Sequence, residues 1–412
     1  MVPLAINRVG TENFGIWLTL SSMLTWFMLF DIGLGNGLRN KFAEAKAYEK
    51  HDEAQTLVST AYYSLAVVSG LVVGIFWTVN NFINWSDIFN APPEKATQLS
   101  LLIPIVFSFF CLQLLLKLIV SIYQADQHHS ITDFIQFTGQ AITLLLVWTI
   151  LPSDGESLVR FAIIYTSTPV VTLLCLNTFA FNGRYKIYKP KLILFKKNAF
   201  KGLANLGVKF FIIQIAATIL FSTDNFIISH LYGPSEVVPY NVAFKYFSIV
   251  TLIYTVLVSP YWSAFTVAYS KKDIFWIKQS VKKIQRIWLV IPLVLVVMIV
   301  FADHVYLSWV GPSVKITTAI NFAMALYIAI VTFSTIYVQF INGVGKVKLQ
   351  FFVSIIVMLI NIPLSIFMAE TVGLGPPGVI IATSMCLGLP ALLWYVQYTK
   401  LINGLANGIW DK

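Results

Sequence analysis

Long apolar runs separated by short polar stretches set the pattern of this chain. The runs lie near 15–38, 56–79, 98–123, 130–151 and 158–181, then near 206–231, 238–267, 285–302, 316–341, 349–369 and 377–399. Each is long enough to cross a bilayer core of about 30 Å as a helix. Residues 1–9 read as the tail of one more run. The pattern therefore predicts eleven full spans and a stub.

The halves on either side of the stretch at 182–201 repeat. Gly10 leads Trp17 by seven residues, and Gly233 leads Tyr240 by the same spacing. Each pair opens a span that runs to a charged segment, expected as loops at 40–55 and 269–286. The turn Tyr123–His128 occupies the place of Ile341–Lys346. An even number of spans per half gives both halves one orientation, as in parallel repeats about an axis along the membrane normal. The second half has a full span before its Gly233 motif, whereas nine residues precede Gly10. The repeat predicts that about 15–20 residues of a first span are absent from this chain.

Charge adds orientation. Arg184, Lys186, Lys189, Lys191, Lys196, Lys197 and Lys201 fall in the stretch NGRYKIYKPKLILFKKNAFK at 182–201, and no Asp or Glu occurs between Glu156 and Asp224. In all, 21 of the 28 Lys and Arg lie in alternate loops, and the opposite loops hold four. Lys and Arg beside spans stay on the cytosolic side, which predicts a cytosolic linker and C-terminus. The expected layout is an N-lobe at 1–181, a basic linker at 182–205, a C-lobe at 206–400 and a tail at 401–412. Composition agrees with the class: charged residues make up 11%, against about 25% in soluble domains, and mean hydropathy is +0.77. The net charge of +10 belongs to inter-span loops and gives no reason to expect nucleic acid. Cys111, Cys175 and Cys386 lie inside spans without metal-type spacing and read as small core residues.

The stretches GTENFGIWLTL at 10–20 and FDIGLGNGLRNKFAEA at 30–45 resemble the opening of bacterial O-antigen polysaccharide flippases of the Wzx type. STDNFIISHLYGPSEVVPYNVAFK at 222–245 resembles the start of their second half. The resemblance runs in order over nearly the whole chain. It implies an all-α polytopic, MATE-like fold of the MOP superfamily: two pseudo-symmetric six-helix lobes in a V around a central cavity, the first helix of lobe one truncated here. It also implies an activity, the movement of undecaprenyl-diphosphate-linked oligosaccharide from the inner to the outer leaflet of the bacterial plasma membrane. Membrane lipids and other polysaccharide-assembly membrane proteins are the further partners expected.

Candidate site residues follow from charge at membrane depth. In Asp31-Ile-Gly-Leu-Gly-Asn-Gly-Leu-Arg39, one reading is a broken helix end at a cavity mouth, with Asn36 and Arg39 toward substrate and Asp31 as a carboxylate within the span. The other is close helix packing by glycine, with Arg39 an ordinary anchor. Asp224 and Lys245 each lie about seven residues from the outer ends of consecutive spans, so a structural ion pair or an ion-coupling site is expected there. Lys117 sits among apolar neighbours about 9 Å from the cytosolic end of its span. Either it snorkels to the interface, or it binds the diphosphate of an anionic lipid as a point charge. Asp133 in Ser-Ile-Thr-Asp fits a helix N-cap pattern. Trp85, Trp309 and Trp394 read as interface anchors. Gln113, Asn177, Gln214, Asn225, Gln339 and Asn361 either line a cavity or join helices.

Three functions are set against one another. A lipid-linked oligosaccharide flippase working by alternating access ranks first. A MATE-type drug or cation antiporter needs cavity carboxylates, and only Asp31 and Asp224 qualify clearly. A polysaccharide polymerase or ligase needs an external active site, yet the external loops are short and hold no Arg, His and acid cluster. A Walker-type phosphate loop is missing from the sequence. No catalytic residue, metal or cofactor is expected.

Overall fold

A computed structural model describes residues 8–10, 13–17, 20–21, 29–86, 93–151, 158–233, 236–311 and 315–411. The apolar runs are helices, because in hydrocarbon a helix satisfies every backbone N–H and C=O within its own segment. In chain order they are α1 (Leu29–Ala47), α2 (His51–Asn80), α3 (Ala96–Leu116), α4 (Leu118–Ala125), α5 (His129–Ile150) and α6 (Leu158–Asn182). Then come α7 (Lys197–Tyr232), α8 (Val237–Ser270), α9 (Ile274–Trp288), α10 (Val290–Val310), α11 (Thr318–Val344), α12 (Lys348–Ile366) and α13 (Pro376–Ile402). Among the described residues ten helical segments are long and apolar enough to cross a membrane; α3 with α4, and α9 with α10, each count as one. The protein is an all-α, multi-pass membrane protein.

The chain divides into two units, Met1–Val208 and Lys209–Lys412. In the first, α1 packs on α2 and α4, and α6 packs on α3 and α5. One core gathers Phe42, Ile119, Tyr123, Tyr185 and Leu203, and another gathers Trp17, Leu102, Val106 and Phe161. In the second unit α11 is central, packed on α8 and α13.

The glycines at 33 and 37 do not break α1, which runs unbroken through them. They lie four residues apart on one face and let α1 approach the first turns of α7. A Cβ on Gly37 would stand 2.8 Å from the Leu203 carbonyl oxygen, and one on Gly207 would stand 2.9 Å from the Gly33 carbonyl. Backbone atoms cannot step aside, so glycine is required at both positions. This is the close-packing use of small residues.

Both charged segments expected as loops are largely helical. Helix α1 continues to Ala47 and α2 begins at His51, while α9 takes up most of 269–286. Linker residues 182–196 form two short 3-10 turns against α2. Gln55 Nε2 donates to the Lys189 carbonyl (2.9 Å), and the backbone N–H groups of Lys191 and Lys196 donate to Ser59 and Thr60 (3.1 and 3.2 Å). Asp133 is exposed inside α5, which starts at His129, so it does not cap that helix. Trp85 and Trp394 are buried inside the protein, and the Trp85 indole donates to Asn80 Oδ1 (2.7 Å).

Each unit closes one end with a clasp formed by the segment after its last helix. In the first, Tyr185 and Arg184 donate to Asp126 Oδ2 (3.0 and 3.3 Å), Lys46 bonds Asp126 Oδ1, and Tyr188 meets His51 (2.7 Å). In the second, Lys346 bonds the Asp411 carboxylate and carbonyl (3.1 and 2.9 Å). There Gln397 holds the Trp410 carbonyl (3.1 Å) and Lys400 sits 4.0 Å from the Trp410 ring. Burial pushes the Asp126 carboxyl up. The Lys46 hydrogen bond and charge, the Tyr185 hydroxyl and the His128 charge outweigh that and hold it below the ordinary carboxylate range. A depressed carboxylate contributes stability above its unfolded pKa and loses it as pH falls through the folded one. The clasp therefore keeps its full contribution at neutral pH and loses it only in acid below the usual carboxylate range.

Gly37→Ala should destabilise the protein by about 1–3 kcal/mol, the usual cost of overpacking. Gly70→Ala and Gly74→Ala, where an added Cβ meets nothing within 4 Å, should leave the Tm unchanged or raise it. Thermal unfolding of the purified protein in detergent checks all three.

Candidate functional site

In the first unit the polar site is built on a helix break. Helix α3 passes into α4 at Lys117, where Val120 N–H bonds the Lys117 carbonyl (2.9 Å), a three-residue step. In a regular α-helix that N–H would reach back four residues to Leu116. The freed Leu116 carbonyl instead accepts from Asn177 Nδ2 of α6 (2.8 Å), and Tyr62 of α2 donates to Asn177 Oδ1 (2.6 Å). Lys117, half-buried, thus stands at a break held by two other helices.

Arg39 is buried, 6% exposed, and Nη1 donates to Gln124 Oε1 on α4 (3.4 Å). It is packed within its own unit. Gln124 is seven residues beyond Lys117, or about 10 Å along the helix, so Arg39 is bonded to α4 about two turns from the break. Asn36 is half-buried on α1. The side chain of Asp31 lies outside the described residues.

In the second unit the site centres on Asp224 of α7, 2% exposed. Tyr240 of α8 donates to Asp224 Oδ2 (3.1 Å) and Thr383 of α13 donates to Oδ1 (3.0 Å). Behind Thr383, Asn361 Nδ2 of α12 donates to its hydroxyl (2.9 Å), and Thr223 reaches Asn361 Oδ1 (3.5 Å). Four helices thus converge on one carboxyl group. Next to it, Asn241 Nδ2 donates to Asn225 Oδ1 (2.8 Å). Asn177, Asn225 and Asn361 all serve to join helices.

The expected pair of Asp224 with Lys245 does not form. The turn between α7 and α8 sets Asp224 against Tyr240 and Asn225 against Asn241. Lys245 lies five residues further along α8, about 7.5 Å deeper and about 140° around the helix, and it is exposed. Equal distance from the span ends was the wrong measure, because the two spans do not end at equal depth. Among the described residues no group of three or more His, Cys, Asp or Glu could hold a metal ion. Tyr62, Tyr240 and Thr383 carry the two networks; Tyr240 is marked in the sequence by the Gly233 repeat, while Tyr62 and Thr383, single hydroxyls in apolar runs, give no signal of their own.

The fold defines the class. The structure superposes on a MATE transporter crystal structure in the bent conformation with a TM-score of 0.82, at 14% identity, covering 97% of this chain and 90% of that one. The Vibrio cholerae MATE transporter VcmN in its bent form gives a TM-score of 0.79 at 12% identity, covering 98% and 91%. The fold is therefore MATE-like. Within that class the chain belongs to the polysaccharide biosynthesis protein family, whose pattern it matches over residues 1–266. Residues 210–367 also match the MatE family. A Yersinia pseudotuberculosis protein named for O-antigen export is 21% identical over 361 residues, 84% of this chain and 79% of that one. A Salmonella typhi protein named as an O-antigen transporter is 22% identical over 265 residues, 63% of this chain; the match spans 59% of its own length.

Asp224→Ala should lower the amount of folded protein, because it strands the Thr383 and Tyr240 hydroxyls at about 1–3 kcal/mol for an unsatisfied buried group. Lys245→Ala should change stability by less than about 0.5 kcal/mol, and the double variant should be no better than Asp224→Ala alone. Detergent-solubilised yield and thermal unfolding measure all three; recovery in the double variant would reinstate the pair.

Proposed function

We propose that the chain is a flippase that carries an undecaprenyl-diphosphate-linked oligosaccharide, an O-antigen or similar surface polysaccharide unit, across the bacterial plasma membrane by alternating access. The observation that carries this reading is the family match over residues 1–266, extended over 84% of the chain by a relative named for O-antigen export. The linker and the C-terminus are cytosolic in this reading, supported by the concentration of Lys and Arg in alternate loops. The protein works as a transporter rather than as an enzyme.

Lys117 is the residue we assign to the diphosphate, with Arg39 and Asn36 as further substrate residues. The helix break supports the choice. A cation beside an interrupted backbone, in a segment otherwise apolar, suits a lipid-borne diphosphate that is held briefly on its way from one leaflet to the other. The buried location of Arg39 favours an indirect part, holding α1 to α4 through Gln124. Asp224, with two hydroxyl donors and no cation against it among the described residues, is the carboxyl we assign to ion coupling; Asp31 is a second candidate. Lys245 takes no part in that assignment.

A MATE-type exporter of drugs or cations is the second reading, favoured by the MatE match at 210–367. A polymerase or ligase ranks third. One genetic experiment separates the three. Deletion of the gene in its own host should remove surface polysaccharide and accumulate single lipid-linked units on the inner leaflet. Units accumulating on the outer leaflet would instead indicate a lost polymerase or ligase. Unchanged polysaccharide with raised sensitivity to cationic drugs would indicate an exporter. Against that background Lys117→Gln should abolish export at normal membrane levels, and Lys117→Arg should retain part of it. Normal polysaccharide with Lys117→Gln would remove this residue from the site.

A further inference from the structure

Helix α9 has the sequence IFWIKQSVKKIQRIW, with Lys278, Lys282, Lys283 and Arg286 and no acidic residue. Its apolar face, Ile277, Val281 and Ile284, is buried against neighbouring α8 and α11. The chain then passes through Leu289 directly into the membrane-spanning α10. A basic amphipathic helix of this kind lies at a membrane interface.

Between α9 and α11 is a cavity of about 310 Å³, lined by Lys282, Gln285, Arg286, Trp288, Phe333 and Tyr337 among others. That volume is at the lower end of small-molecule sites, about 300–1,000 Å³, and suits a headgroup rather than a whole lipid. Two N–H donors of its wall are already bonded inside the protein. The Trp288 indole N–H donates to Thr332 Oγ1 (3.1 Å), and Gln285 Nε2 donates to the Tyr337 hydroxyl (2.8 Å). What Trp288, Phe333 and Tyr337 offer the cavity is ring surface. Trp288 and Phe333 stand edge to face, 5.1 Å between centroids, and Phe333 and Tyr337 at 5.4 Å.

The two cations differ from the wall. Lys282 and Arg286 are one helical turn apart on one face, exposed, and no carboxylate among the described residues pairs with either. The cavity is thus apolar along its wall and doubly positive at its rim. Beyond it the surface continues as Leu289, Val290 and Leu293, each more than half exposed (63%, 55% and 68%). A ligand that fits has an anionic group at one end and hydrocarbon at the other.

We propose that this cavity holds a bilayer phospholipid with a net negative headgroup, of the phosphatidylglycerol or cardiolipin kind. Arg286 engages the phosphate through its planar fork of donors and Lys282 adds a point charge. Trp288, Phe333 and Leu289 flank the glycerol and the first carbons of the chains. The charge of α9 draws such lipids to this surface, and the cavity selects where one is held. The lipid here is a resident ligand and not cargo, so the assignment stands apart from the flippase reading.

Native mass spectrometry of the full chain in detergent tests it, with phosphatidylglycerol and phosphatidylcholine of identical acyl chains as probes. Phosphatidylglycerol adducts should form at concentrations at least about fivefold lower than phosphatidylcholine adducts. Lys282→Gln/Arg286→Gln should reduce that preference to less than about twofold, while Lys271→Gln/Lys283→Gln, which removes the same charge from positions outside the cavity, should preserve it. Size-exclusion elution confirms that the variants fold, as expected for exposed side chains. Equal binding of the two lipids by the wild type would overturn the proposal, and so would equal loss in both double variants. A polyprenyl diphosphate that displaces phosphatidylglycerol one for one would assign the cavity to cargo and overturn it as well. Failure of this test with the deletion phenotype intact would leave the flippase reading standing, and the reverse outcome would leave the lipid site.

Discussion

A polar group within hydrocarbon must find its partner inside the protein, and the two candidate sites depend on that constraint. The step at Lys117 leaves the Leu116 carbonyl without its helical donor, a loss worth several kcal/mol in lipid. Asn177 supplies the donor and Tyr62 completes the amide. The irregular backbone is therefore not a local defect but a joint among α2, α3 and α6. Asp224 is answered in the same way by Tyr240 and Thr383, with Asn361 behind them. In each unit the polar residues that join helices are also those nearest the side chains assigned to transport.

The spans were legible because length and hydropathy alone decide them, and both are local. The amphipathic helices were not, since Lys and Arg between spans suggest a loop. The signal in α9 was nevertheless present: Ile274, Ile277, Val281, Ile284 and Trp288 recur at three- and four-residue steps, the period of a half-buried helix. The glycines of α1 were half legible. Gly33 and Gly37 fall on one face, but their partners Leu203 and Gly207 come from a helix more than 160 residues away, and no periodicity joins distant helices.

The site residues were less legible for a related reason. Asp224 and Lys245 were matched by depth, which requires the register of the intervening turn, and register is fixed by packing rather than composition. Arg39 was identified as a charge near the membrane edge, but its hydrogen bond to Gln124 depends on α1 lying against α4. Lys117 was recognised by its apolar neighbours. The helix break beside it was not, because Leu-Leu-Leu-Lys-Leu-Ile contains neither Gly nor Pro, and the amide that satisfies it, Asn177, lies sixty residues on. Asn177, Asn225 and Asn361 join helices, through a backbone carbonyl in the first case and through side chains in the other two.

The two clasps extend this reasoning to the ends of the helices. In the first unit the anion is on the turn, at Asp126, and the cations come from Lys46 and the segment after α6. In the second the cation is on the turn, at Lys346, and the anion is Asp411, after α13. The repeat thus preserves the geometry while inverting the charge. Both sides of the clasp differ together between the halves, so each still sets opposite charges against one another. Each clasp ties the end of the last helix to a turn between earlier ones. The last helix of each unit cannot then shift independently at that end, and any motion there must carry the turn along with it.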